Sequence, residues 1–87
     1  FSIDTDDPHW ISEKPEIVVN GTDLLAHGEV PLGHINELLT RISPGSIILL
    51  VTEFLPSPII DAMKKQDREV HHKVDAQNPL RHLTFIR

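Results

Sequence analysis

Ile47-Ile48-Leu49-Leu50-Val51 is the longest apolar run in the chain, and the fold turns on it. A run of aliphatic side chains with no polar interruption marks a central strand, since a strand with one wet face alternates apolar with polar residues. Ile47, Leu49 and Val51 project to one side of such a strand, Ile48 and Leu50 to the other, so both faces of the sheet need cover. The run is far shorter than the ~20 apolar residues of a membrane-spanning helix.

Working outward, Leu32, Ile35, Leu38, Leu39 and Ile42 recur at helical spacing and form one apolar stripe. Pro31 suits the first helical position and Pro44-Gly45 stops the helix. Before it, Ile17-Val18-Val19 reads as a short strand ended by an Asn20-Gly21 turn. On the other side of the central run, Ser57 reads as a helix N-cap with Pro58 at the first helical position. Asp61 is expected in that helix's first turn and Lys64-Lys65 near its end, both favourable to the helix dipole. Ile59, Ile60 and Met63 supply its apolar face. From Glu69 to Asp75 the pattern alternates, with Val70, His72 and Val74 on one side and Glu69, His71 and Lys73 on the other. Asn78-Pro79 then helps make a turn, and Leu80 to Arg87 reads as the last strand.

The order is β-α-β-α-β-β. Right-handed crossovers place both helices on one face of a four-stranded mixed sheet whose last two strands form a hairpin, giving an α+β, two-layer sandwich. Residues 1–15 are polar, acidic and aperiodic apart from Trp10 and Ile11; they read as an N-terminal extension to a domain spanning 16–87.

Eighty-seven residues make one small domain. With 8 Lys+Arg against 13 Asp+Glu and a net charge of −5, the chain lacks the basic clusters that bind nucleic acid or anionic membranes, and neither is expected as a partner. There is no cysteine, hence no disulfide, thiolate nucleophile or Cys-ligated zinc; this fits a reducing, cytoplasmic setting. The first residue is Phe1 rather than Met, as expected of a domain excised from a longer protein.

Four segments carry a family resemblance. Gly28-Glu29-Val30-Pro31-Leu32-Gly33-His34-Ile35 and then Ser43-Pro44-Gly45 resemble the Gly-Glu-His-Pro-Leu-Gly and Pro-Gly elements of an uncharacterised bacterial domain family. Phe54-Leu55-Pro56-Ser57-Pro58 looks like its Phe-x-Pro-x-Pro element, and Pro8-His9-Trp10-Ile11 like its Pro-x-Trp-Leu opening. That family is similar to the TusA/SirA sulfur-carrier fold, a β-α-β-α-β-β two-layer sandwich in which a Cys-Pro-x-Pro motif opens the first helix and its Cys carries sulfur as a persulfide. With the motif's second Pro on Pro31, the Cys position falls on Gly28 and the first Pro on Glu29. The resemblance thus implies the fold without the sulfur-transfer activity. Val30 stands where that family usually has His.

Six histidines are the least usual feature of the composition. A metal site is one reading, with zinc the ion expected, because neutral imidazole is a common ligand. His71 and His72 are neighbours in a strand and face opposite ways. His71 is expected to meet His82 across the final hairpin, on the face away from the helices, with His72 on the helix side beside Val70 and Val74. His27 and His34, bracketing the start of the first helix, form a second group with Glu29. Neither group has the His-Glu-x-x-His or Cys-His spacing of a zinc site, so solvated surface histidines without a cofactor are the plainer reading.

The edge where the parallel strands deliver both helix N-termini could attract anions, but Asp23, Glu29 and Glu53 oppose them there. No nucleophile with a base, phosphate loop or cofactor fingerprint is visible, and no enzyme is expected. What remains is the second face of the central strand, to which Leu80 and Ile86 are expected to add. Burying about three such side chains is worth roughly 5–8 kcal/mol, so something covers them: the N-terminal segment through Trp10 and Ile11, a second copy of the domain, or another protein. The leading functional expectation is therefore a non-enzymatic accessory domain that docks a protein partner, or dimerises, through that face or through the loop Phe54, Leu55, Pro56 and Pro58, with Glu29, Pro31 and His34 nearby. Phe54 and Leu55 would be its anchors.

Overall fold

Ile48, Leu49 and Leu50 are at most 4% exposed, which puts the apolar run where its composition demands, in the middle of a sheet covered on both sides. The computed structural model describes residues 7–11 and 15–87. In chain order the elements are β1 (Ile17–Asn20), α1 (Gly21–Ala26), α2 (Pro31–Arg41), β2 (Ile48–Thr52), α3 (Ser57–Lys65), β3 (Val70–Asp75) and β4 (Asn78–Ile86). The strands form one four-stranded mixed sheet in the order β1-β2-β4-β3. β1 runs parallel to β2, and β4 runs antiparallel to β2 and to β3. β3 therefore parallels β2 one strand-width away, and the returning β4 fills the gap. This is the expected α+β fold. No described helix is long and apolar enough to cross a membrane.

The long helices share one face of the sheet. Ile35 and Leu39 of α2 and Ile59 and Met63 of α3 pack with Val19, Ile48, Leu50 and Ile86 in one buried cluster, flanked by Leu32, Leu38 and Ile42 of the predicted stripe. Pro31 occupies the start of α2 as expected, and Gly45, at φ 87°, turns the chain toward β2.

The other face is closed from within the chain. Ile11 packs with Ile47, Leu49, Leu83 and Phe85 in a second buried cluster, with Trp10 and Val51 against it. A tight turn, Ile11 N–H to the Pro8 carbonyl at 3.1 Å, shapes this strap, and the Arg87 guanidinium lies 5.1 Å from the centre of the Trp10 ring. Of the three expected covers, the structure places the N-terminal segment there.

Several local expectations are corrected. Asn20-Gly21 is not a turn: Asn20 caps the additional helix α1, its Oδ1 accepting from the Asp23 N–H at 3.0 Å. Ser57 is not the N-cap of α3. Pro56 occupies that position without a side-chain cap and Ser57 is the first helical residue, so Asp61 falls beyond the first turn. The hairpin turn is Ala76-Gln77, with Asp75 Oδ1 accepting from the Gln77 N–H at 2.9 Å; Asn78-Pro79 already belongs to β4. Ile86 is fully buried on the helix side and Leu80 is 72% exposed, so neither adds to the second face. Leu83 and Phe85 do.

Two substitutions test these layers. Ile11→Ala should lower the unfolding free energy by about 2–5 kcal/mol, the usual range for emptying a buried Ile site, read from urea titrations; a loss under about 0.5 kcal/mol would mean the strap does not pack. A Cβ on Gly21 would lie 2.7 Å from Thr52 Cγ2 and 3.2 Å from Leu50 Cδ1, both in side chains at most 1% exposed. Gly21→Ala should therefore cost about 1–3 kcal/mol by overpacking, despite alanine's better helix propensity.

Candidate functional site

Parallel pairing of β1 with β2 brings α1 and the N-termini of α2 and α3 to one edge of the sheet. There they enclose an apolar groove of about 250 Å³. Leu25 of α1 and Val30, Pro31 and Leu32 at the start of α2 form one wall; Phe54, Pro56, Pro58 and Ile59, leading into α3, form the other. Leu25 is 51%, Val30 68% and Phe54 37% exposed, so these side chains meet solvent across the groove. The loop is held locally: Thr52 Oγ1 donates to the Phe54 carbonyl at 2.6 Å, and the Glu53 N–H donates to Thr22 Oγ1 at 3.0 Å.

Of the residues expected here, Phe54, Pro56, Pro58 and Pro31 converge on the groove. Leu55 is 53% exposed but lies outside its lining. Glu29 and His34 are also outside it; Glu29 adjoins the lining residue Val30 in the chain, and His34 lies two residues beyond Leu32. Leu25, Val30, Leu32 and Ile59 were not among the expected docking residues. The Leu24-Leu25 pair was the available signal, but its meaning depends on α1.

The histidines are sorted by strand register. His71 pairs with Phe85 and Lys73 with Leu83, on the strap face, whereas His82 pairs with Val74 on the helix face. The expected His71–His82 pair therefore does not form. His72, as expected, is on the helix side, and it is the partner of His82: Nε2 of His72 lies 2.9 Å from Nδ1 of His82. Ring centroids 5.1 Å apart and planes 24° apart mean the imidazoles meet nearly edge to edge. One nitrogen donates and the other accepts, the tautomers deciding which. His71 instead holds the strap. Its Nε2 donates to Asp7 Oδ1 at 3.0 Å while Lys73 Nζ donates to Asp7 Oδ2 at 2.8 Å, on a carboxylate only 4% exposed. His27 Nδ1 lies 2.7 Å from the Asp23 carbonyl, and the expected His27–His34–Glu29 group does not assemble: no three His, Cys, Asp or Glu among the described residues converge on one point.

Comparison of the chain with protein-family models, with curated proteins and with solved structures finds no match.

Burial, and then the neighbouring His82 and His71, hold the His72 pKa below the ordinary histidine value. Because the unfolded chain takes up that proton more readily, the contribution to stability is complete above about pH 6.5 and falls away as pH drops toward the lowered folded value. Urea unfolding of chelator-treated protein between about pH 7.5 and about pH 5 should show this decline, and His72→Leu should flatten it. An equal slope in the variant would assign the pH dependence elsewhere.

Proposed function

We propose that this chain is a non-enzymatic, cytoplasmic protein-interaction domain of sulfur-carrier-like fold, which captures one bulky apolar side chain of a protein partner in the groove between α1, α2 and the β2–α3 loop. The observation that carries this reading is the groove itself. At about 250 Å³ it lies below the range of roughly 300–1,000 Å³ typical of small-molecule pockets, yet it suits an aromatic or leucine anchor. Its walls hold exposed Leu25, Val30 and Phe54, which in a small monomer mark an interface more often than they serve the fold. With Trp10 and Ile11 seated on the second sheet face, we assign docking to this groove rather than to that face.

The chemistry at the edge supports a protein anchor over an anion or a reacting group. Pro31, Pro56 and Pro58 stand at the helix starts and carry no N–H, thinning the amides that would hold an anion. Glu29 and Glu53 adjoin Val30 and Phe54 in the chain, and the net charge is −5, so the favoured partner segment places Lys or Arg beside its apolar anchor. Gly28, at the position aligned with the carriers' sulfur-bearing Cys, has φ 79°, a conformation glycine adopts freely and L side chains resist.

Peptide-display selection against the folded domain should enrich segments with a bulky apolar residue flanked by Lys or Arg. Phe54→Ala should weaken a selected peptide by about tenfold or more, and Val30→Asp should abolish binding, the scale expected for a central anchor pocket. Both variants should keep the wild-type melting temperature. Selected peptides lacking an apolar anchor, or bound equally by both variants, would sink the proposal.

A further inference from the structure

The groove does not involve the histidine pair on the helix side of the β3–β4 hairpin. His72 and His82 are both half-buried and come from adjacent antiparallel strands, so the backbone ladder fixes their relative placement. We propose that these two imidazoles chelate a divalent late-transition-metal ion, Cu(II) binding more tightly than Ni(II) or Zn(II).

Three observations carry it. First, Nε2 of His72 and Nδ1 of His82 are 2.9 Å apart. Two ligands at about 2.0–2.1 Å from a metal and at a right angle to each other are also about 2.9 Å apart. That right angle belongs to tetragonal Cu(II) and Ni(II), whereas a tetrahedral ion needs about 3.3 Å at the same bond length. The rings now face each other edge to edge, so binding requires them to tilt toward an ion seated beside the N···N line. It does not require the strands to separate.

Second, Thr84 is the cross-strand neighbour of His72 on the same face, and its buried hydroxyl has no hydrogen-bond partner among the described residues. Such a group is ordinarily satisfied by water or an ion; here a water held by the metal would serve.

Third, no third His, Cys, Asp or Glu among the described residues converges with the pair. A site with two imidazole ligands suits an exchangeable ion rather than a structural one, which ordinarily has four protein ligands. With two nitrogen ligands and water, the order of affinities follows the general preference of such sites for Cu(II).

The test is isothermal titration of the tag-free chain with copper(II) chloride in a non-chelating buffer at neutral pH, repeated with nickel(II) and zinc(II) chloride. The expected result is one saturable site, tightest for Cu(II), weakened about tenfold or more in each of His72→Phe and His82→Gln. The double variant His27→Gln/His34→Gln should bind as the wild type does. If His72→Phe fails to fold, His82→Gln alone decides, and ring NMR with zinc reports which imidazoles shift. No saturable binding, binding indifferent to both pair variants, loss in the His27/His34 control, or zinc shifts confined to other histidines would each overturn the proposal.

Discussion

The arrangement depends on one strand being apolar on both sides. β2 lies between β1 and β4, and none of Ile48, Leu49 and Leu50 can face water without exposing a large aliphatic group. On the helix side, α2 and α3 supply the cover. On the other, Ile47, Leu49, Leu83 and Phe85 would stand open without the strap. Four such side chains at about 1.5–3 kcal/mol each amount to roughly 6–12 kcal/mol, comparable with the whole stability of a small domain at about 5–15 kcal/mol. The segment Asp7–Ile11 is therefore part of the fold. Its Asp7 carboxylate is also almost fully desolvated, which is tolerable because His71 and Lys73 each take one of its oxygens.

Regular elements with long apolar patterns were legible in the sequence. The central strand, the stripe from Leu32 to Ile42 and the start of α2 at Pro31 all follow from spacing and terminal residues. α1 was not, for a physical reason. A helix of six residues shows less than two turns of periodicity, and Asn20-Gly21 is as good a turn as it is a helix start. What decides is tertiary. Gly21 packs so close to Thr52 and Leu50 that a Cβ would collide, so glycine is there for contact with β2 and not for a turn. The one-residue displacement of the α3 cap has a similar origin: Pro56 and Pro58 bracket Ser57, and either proline can open a helix.

The histidine assignment failed through a single parity. Placing His82 with His71 carries Ile86 and Leu80 to the same face, since all three β4 residues are even-numbered neighbours along one strand; the structure puts Leu83 and Phe85 there instead. The alternation within β3 was read correctly, so the error lay in the register between the strands. Register in a hairpin is set at its turn. The turn is at Ala76-Gln77 and the pairing then shifts between Val74 and Asp75, an irregularity that composition does not announce. A slip of one residue exchanges the faces of a strand, and here it exchanges which histidine meets which.

The groove shows how the same helix starts can serve a different surface chemistry. Helix N-termini gathered at one sheet edge ordinarily present amide hydrogens to an anion. In this chain proline removes that option at three positions around the α2 and α3 starts, while Leu25 from α1 and Phe54 from the loop roof the space with carbon. Two further amides beside the groove are taken within the chain: the Glu53 N–H goes to Thr22 and the Ser57 N–H to the Leu55 carbonyl. A ligand at this edge would find little to hydrogen-bond inside the groove and carboxylates adjoining it in the chain. That combination favours an apolar side chain over an anion at this edge, and it follows from the residues that start the helices.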